Sequence, residues 1–500
     1  MQRKRCNLRL LKIRKWESRS YPASPASGVV PRTRPTENLE AVTGAQPFHL
    51  LSRDHGAGFW VLSMRSSSKY IVPVLAFILA LLMWGYCAHT RVLVGLRLNA
   101  GGFPERNFSD LFPRWLGTRA LLLDGRDPYS PQVTKEIQRG YYGRPIDSHR
   151  ESDPIDQQGF AYPLFVVFML APTIYLPFTV VKLLFTLILL ACAVWTVLLW
   201  IQVIGLEDRR DNLLTCVLLT LAAIPYASGV QFQQLSVLVA FSLAAAMRAL
   251  AAKKFALAGA LLAIATVKPQ LAIYFIGCLL LWSGWRWRSR KWLAISFFTV
   301  LTVLILASEV LLPDWPFEFL AGIPRYLRYT QATTGVHELF GFVGGTIVFV
   351  FLAALIALVS WRAKSDTVDS DDFRLAISSV LVFTCIVIPS LAPHNQVLLV
   401  PAYLLLAKER KRIWEGGRIA RALWSGAWLT LIWSWMVGAM LATSLVLHRG
   451  GSRLWDLPLA TNPLIPISVF AALTPLIFRQ LSRAAYVMSD ADRPVDGLTL

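Results

Sequence analysis

Four sets of polar side chains stand out in an otherwise apolar chain. The first is Asp110 with Arg114, in the stretch Ser109-Asp110-Leu111-Phe112-Pro113-Arg114-Trp115. The second is Gln231, Gln233 and Gln234, lying between two apolar runs. The third is Lys268, followed by Pro269 and Gln270, inside a long apolar run, and the fourth is His394-Asn395-Gln396. A charged group at membrane depth costs roughly 2.5–3.5 kcal/mol on insertion scales, so each calls for a reason. A carboxylate or imidazole can take a proton from a hydroxyl. Lysine and arginine can hold a phosphate. Amides bind hydroxyl-rich ligands, with aromatic rings beside them.

Each set also has a plainer reading. Asp110 or Ser109 can cap a helix, with Pro113 tolerated in its first turn. Lys268 can snorkel to a headgroup. The glutamines can bond across helices. His394 alone reads as a turn residue, and Asp147, Asp153 and Asp156 read as parts of a solvated loop. His337 and Glu338, beside an interface, carry little weight.

The elements that must position these groups are membrane helices. Of 500 residues, 55% are hydrophobic, and the mean hydropathy is +0.50. Apolar runs recur that are long enough to cross a bilayer, which takes roughly 20 residues of helix. The period-2 alternation of an outer-membrane barrel is absent. The fold class is therefore an all-α polytopic membrane protein of roughly ten to thirteen segments. These fall near 70–89, 161–178, 180–204, 213–228, 230–250, 255–283, 293–312, 340–361, 373–390, 395–407, 420–447 and 463–479. The run 161–178 is short and bounded by prolines, so a re-entrant course and a short crossing are both open. Lys268-Pro269 interrupts 255–283 and can split it into two helices.

Residues 1–69 are basic, then rich in Pro, Ser and Thr, and read as a disordered cytoplasmic tail, with Met64 an alternative start. Residues 70–480 form the membrane domain, and 481–500 a cytoplasmic tail. The net charge of +20 lies mostly in the N-terminal tail and in short loops. It fits the positive-inside bias and anionic lipid, not nucleic acid. The basic loops 284–291 and 408–421, with Arg479 and Arg483, read as cytoplasmic, which places 313–339, the His394-Asn395 turn and 448–462 outside; the basic N-terminus reads as inside, which puts the polar loop 91–159 outside too. The six cysteines show no CxxC spacing, so neither a disulfide framework nor a zinc site is indicated. In that outer loop, Leu111, Trp115, Ala120 and Leu122 give the helix after Asp110 an apolar stripe. Asp124-Gly125 and Asp127-Pro128 follow as turns.

Together the groups suit transfer from a lipid-linked sugar phosphate. A cation would hold the leaving phosphate, a carboxylate would activate the acceptor hydroxyl, and a groove among helices would take the polyprenyl tail. No segment reads as a soluble domain for a nucleotide sugar.

At these residues the chain resembles glycosyltransferase family 87, the bacterial polyprenol-phosphate-mannose-dependent mannosyltransferases. Asp110-Leu111, Ala120-Leu121 and Gly125-Arg126-Asp127-Pro128-Tyr129 resemble its "D-L … A … G-x-x-P-Y" opening. Phe160-Ala161-Tyr162-Pro163-Leu164, with Pro172 and Leu176-Pro177, is similar to its tyrosine-proline helix, though Leu164 stands where a second proline is common. Val230-Gln231-Phe232-Gln233-Gln234-Leu235 occupies the place of a Gly-Gln-x-Asn element, its glycine displaced to Gly229. Gly259 to Lys268-Pro269 resembles the "A-G … K-P" helix. Pro389 to Asn395, with Pro401, resembles the late "S-P … H … P" segment, and His394-Asn395 stands where the family has paired histidines. The resemblance covers roughly 105 to 410.

The resemblance implies a GT-C type bundle in a bacterial-type cytoplasmic membrane, with a large first outer loop and an extracytoplasmic active site. It implies a polyprenyl-phosphate hexose donor, most simply mannose, and inversion at the anomeric carbon. Asp110 would be the base and His394 its partner or a phosphate ligand. Lys268 and Arg114 would face the phosphate, and Tyr129, Tyr162, Gln231, Gln234 and Asn395 would line the substrate. No cofactor is identified, and a divalent cation stays open. The partners are the bilayer, the lipid-linked donor and a glycan or glycolipid acceptor. The rival reading is a transporter or flippase of a lipid-linked glycan, which would tend to show related halves. No internal repeat is evident.

Overall fold

The computed structural model describes residues 57–100, 102–103, 107–147, 150, 153–206, 213–329, 333–389, 392–446 and 461–491. Most of the tail expected over 1–69 and the last residues of the tail over 481–500 lie outside them. So do Ser390 and Leu391 of the late motif and most of the loop before 463. Residues Trp60–Leu500 group as one compact unit. Of the residues before it, 57–59 are described, as helix.

Among the described residues there is no strand. The helices are α1 (Ala57–Ala100), α2 (Phe112–Asp124), α3 (Pro131–Tyr142), α4 (Val166–Leu170), α5 (Phe178–Ile204), α6 (Leu213–Ala222), α7 (Ile224–Gln231), α8 (Leu235–Ala251), α9 (Phe255–Ala265) and α10 (Pro269–Trp285). They continue as α11 (Trp287–Leu311), α12 (Trp315–Tyr329), α13 (Gly335–Arg362), α14 (Asp371–Val387), α15 (Val400–Lys408), α16 (Arg410–Trp414), α17 (Arg418–Val446) and α18 (Leu464–Ala491).

Five described stretches are long and apolar enough to cross a bilayer: Ile71–Leu93, Phe178–Ile204, Trp287–Leu311, Gly335–Ser365 and Leu464–Ser482. A sixth is added if α6 and α7, bent by 67° at their junction, count as one broken span. Helices α8, α9 and α10 are apolar but shorter. The protein is thus an all-α polytopic membrane protein, built partly from interrupted segments. The run 255–283 is two helices, broken at 266–268, as Pro269 allows. The run 161–178 holds only α4 and a 3-10 turn, Ala171–Thr173. At ~1.5 Å per residue that is too little helix to traverse a hydrocarbon core.

The centre of the bundle is α8, buried along most of its length between α5 and α9. Helix α9 packs in turn on α11. In lipid the bundle is held by close packing rather than by hydrophobic exclusion, and small residues let backbones approach. Gly259 is the clearest case. A Cβ there would stand 2.8 Å from the amide nitrogen of Phe297 on α11.

Helix α2 shows why its start carries a functional group. The helix begins at Phe112, with Leu111 as its cap residue and no capping side chain. Pro113 sits in the first turn, as expected. The hydroxyl of Ser109 accepts from the Leu111 amide at 3.3 Å. Asp110 therefore does not cap the helix, which corrects one of the two readings of this residue. Its backbone is committed to the chain turn, and its carboxyl group is released for other partners. Gly125, in the left-handed region at φ 64°, ends the helix, and the Asp127 carboxylate accepts from the Tyr129 amide at 2.8 Å in the next turn.

Candidate active site

Two loops distant in sequence are fastened together beneath α2. The Asp110 amide donates to the Phe232 carbonyl at 3.0 Å, and the Ser109 hydroxyl donates to Gln233 Oε1 at 2.6 Å. Arg91, near the end of the first span, donates to the Phe108 carbonyl at 2.7 Å and the Gln231 carbonyl at 3.3 Å. Its guanidinium lies beside the Phe108 and Phe232 rings, 5.7 and 5.8 Å from their centroids. Gln233, at φ 51°, makes the tight turn from α7 into α8. This turn sends three neighbouring glutamines to three destinations.

Gln234 goes to the site. Its Nε2 donates to the Asp110 carboxylate, and its Oε1 accepts from Lys268 Nζ at 3.3 Å. Lys268 Nζ also donates to Asn395 Oδ1 at 2.9 Å. The order Asp110, Gln234, Lys268, Asn395 fixes the orientation of the Gln234 amide. Its donor must meet the carboxylate and its acceptor the ammonium. An ammonium has three N–H donors, and the two amide oxygens occupy two of them.

Arg114, one turn along α2, donates to the Asp110 carbonyl, and its guanidinium lies 4.2 Å from the centroid of the Tyr162 ring. Its Nε is buried with no hydrogen-bond partner. Tyr162 is held from behind by Tyr129, whose hydroxyl donates to the Tyr162 carbonyl at 2.7 Å. Burial raises the Asp110 carboxyl above the ordinary carboxylate range, against the opposing pull of Arg114, the Gln234 amide and Lys268.

These groups surround one cavity of about 830 Å³, within the roughly 300–1,000 Å³ usual for small-molecule sites. Asp110, Arg114, Tyr129, Tyr162, Gln234, Lys268, His394 and Asn395 all line it. Pro269 and Gln270, from the first turn of α10, are at its wall.

Gln231 is elsewhere. Its side chain donates to the Trp84 carbonyl on α1 at 2.9 Å, and it borders a smaller cleft with Ala88, Arg91 and Val92. Sequence reading could not separate it from Gln234, because the turn at Gln233 decides which amide faces which way. Two acidic residues assigned to a solvated loop are placed otherwise. Asp153 is buried, gripped by Arg144 through two hydrogen bonds of 2.7 and 2.9 Å. Asp156 lines the cavity, as do Glu318 and Tyr326 of α12 and Glu338 of α13. Nothing in the spacing of these residues pointed to the cavity; only the folded chain gathers them. Among the described residues, no group of three or more His, Cys, Asp or Glu side chains comes together as a metal site.

The model of glycosyltransferase family 87 matches residues 160–389 of this chain. That stretch contains Tyr162, Gln234 and Lys268; Asp110, Arg114, Tyr129, His394 and Asn395 lie outside it. A relative from Mycolicibacterium smegmatis, named polyprenol-phosphate-mannose-dependent alpha-(1-2)-phosphatidylinositol pentamannoside mannosyltransferase, is 22% identical over 316 residues. The alignment spans 60% of this chain and 70% of that protein. No solved structure matches the chain. The resemblance read from the motifs is thus matched by the family model and by this distant relative. Both support a membrane glycosyltransferase.

Proposed function

We propose that this protein transfers a hexose from a polyprenyl-phosphate donor to a hydroxyl of a glycan or glycolipid, on the outer side of a bacterial-type cytoplasmic membrane. Mannose is the sugar named for the similar protein. The observation that carries the reading is the hydrogen-bonded series from Asp110 through Gln234 and Lys268 to Asn395 at one cavity. A carboxylate and an ammonium stand at opposite ends of a single amide, which suits a proton acceptor and an anion-holding cation.

In the reaction the acceptor oxygen attacks C1 of the donor sugar from the side away from the phosphate. Asp110 takes the hydroxyl proton as the new C1–O bond forms. The bond from C1 to the phosphate oxygen breaks, its electron pair leaves with the polyprenyl phosphate, and the anomeric configuration inverts. Lys268, with Arg114, meets the charge that builds on that phosphate. Gln234 keeps the base and the cation at a fixed separation. His394, beside Asn395, assists the base or the phosphate. Tyr129 and Tyr162 offer aromatic surface to the sugar. A general base of this kind contributes typically about 10²–10⁴-fold.

The test uses the purified full chain in lipid, radiolabelled polyprenyl-phosphate mannose and an extract of membrane glycans. Label on a new hydroxyl supports the reading. Intact donor carried across a vesicle with no new glycosidic bond overturns it in favour of a flippase.

A further inference from the structure

Helix α12 leaves an apolar face exposed on the side away from the cavity. Its side toward the protein carries Trp315, Glu318, Gly322 and Tyr326, of which Trp315 is buried and the other three line the cavity. Its opposite side carries Phe317, Leu320, Ala321 and Pro324, all exposed, with Phe317 72% and Leu320 57% accessible. These positions fall at i, i+3, i+4 and i+7, one face of a helix. Glu318 and Tyr326 face the cavity, which Phe319, Ile323 and Leu327 of the same helix also line, while the opposite face is apolar from Phe317 to Pro324 and ends at the exposed Arg328. A helix surrounded by water would not ordinarily leave such a contiguous apolar face uncovered.

The chain itself says what medium covers that outer face. Helix α12 joins two membrane-spanning candidates, Trp287–Leu311 and Gly335–Ser365. Only residues 312–314 precede it and 330–334 follow it, so both its ends are tied to the ends of those spans. At ~3.3–3.6 Å per extended residue, these links cannot carry it far from the bilayer surface. The lipid-facing surfaces of the two spans run up to the same place. Val310, near the end of one, is 84% accessible, and Phe342, near the start of the other, 82%. The exposed face of α12 continues that apolar band.

We propose that α12 lies in the membrane interface with Phe317, Leu320, Ala321 and Pro324 seated among lipid acyl chains. It is then the wall between the cavity and the bilayer: acyl chains on one side, Glu318 and Tyr326 on the other. The occupant of the face is lipid, and the inference stands independently of the transfer chemistry.

The experiment reads the medium directly. Phe317→Cys and Leu320→Cys, each in the full chain in lipid nanodiscs, are labelled with an environment-sensitive fluorophore. Lys135→Cys, at an exposed position on α3, serves as an aqueous reference, and the signal of the unsubstituted protein is subtracted for its own cysteines. Phosphatidylcholine brominated on its acyl chains should quench the labels at 317 and 320 and leave that at 135 bright; dissolved iodide should do the reverse. Quenching of 317 and 320 by iodide overturns the proposal by showing water at that face. Labels quenched by neither also overturn it, since the face would then be covered by protein. Because two positions are read separately, failure of one variant to fold leaves the other to decide.

Discussion

Lys268 Nζ lies 2.9 Å from Oδ1 of Asn395, a residue 127 positions further along the chain. The contact joins the break between α9 and α10 to the 3-10 segment Pro393–Leu399. With Gln234 on its other side, the ammonium is held between two amide oxygens rather than by a carboxylate. An ion pair would have neutralised it. Amide oxygens orient the cation and leave its charge for an incoming anion.

Asp110→Asn keeps the size and hydrogen-bonding capacity of the side chain and removes its basicity. Transfer should fall by about 10²–10⁴-fold, with the thermal midpoint in detergent little changed. Full transfer by this variant would remove Asp110 from the mechanism.

The pH profile should carry the imprint of burial. The base works ionised, so kcat/KM rises with pH through the Asp110 pKa, which burial holds above the ordinary carboxylate range. Neighbouring cations favour the ionised form, so their removal raises that pKa further and moves the acid limb to higher pH. Arg114 acts more strongly on Asp110 than Lys268 does. The shift measured for Arg114→Met should therefore exceed that for Lys268→Met. A shift to lower pH in either variant contradicts the assignment.

The two glutamines should separate cleanly. Gln234→Leu breaks the bridge between Asp110 and Lys268 and should depress kcat at least tenfold, or about 1.4 kcal/mol at the transition state. Gln231→Leu removes only the hydrogen bond to the Trp84 carbonyl, worth roughly 0.5–1.5 kcal/mol. It should lower the thermal midpoint and leave kcat near that of the parent. Steady-state kinetics on both variants decide it.

Gly259→Leu should damage the bundle without touching the cavity. Its side chain would meet the α11 backbone at Leu293 and Phe297. Overpacking of this kind costs typically about 1–3 kcal/mol. The check is the fraction of protein eluting as a monodisperse peak after graded heating.

The cavity is legible in the sequence through residues that membrane physics makes conspicuous. Lys268 in an apolar run, and the polar groups near 234 and 395, announce themselves by what they cost where they stand. The helix-breaking role of Pro269 was likewise visible. Local direction is not legible in the sequence. Gln231 and Gln234 are three residues apart, and the positive φ of Gln233 sends one to α1 and the other to Asp110. Asp156 sits in a polar stretch where an acidic residue is unremarkable, and Glu318 stands alone between Phe317 and Phe319; both reach the site only through the path of the folded chain. Arg91, which no sequence pattern singles out, fastens the two loops that carry Asp110 and Gln234.

The interruption at 266–268 has an effect beyond presenting a lysine. It begins a new helix, α10, with Pro269 and Gln270 at the cavity wall. The first turn of a helix carries a partial positive charge from its aligned peptide dipoles, equivalent to roughly half an elementary charge. That contribution belongs to the backbone, so neither alkali nor substitution of a side chain abolishes it. The Lys268→Met variant, which keeps both this backbone charge and Arg114, should thus retain a weaker residual grip on polyprenyl phosphate.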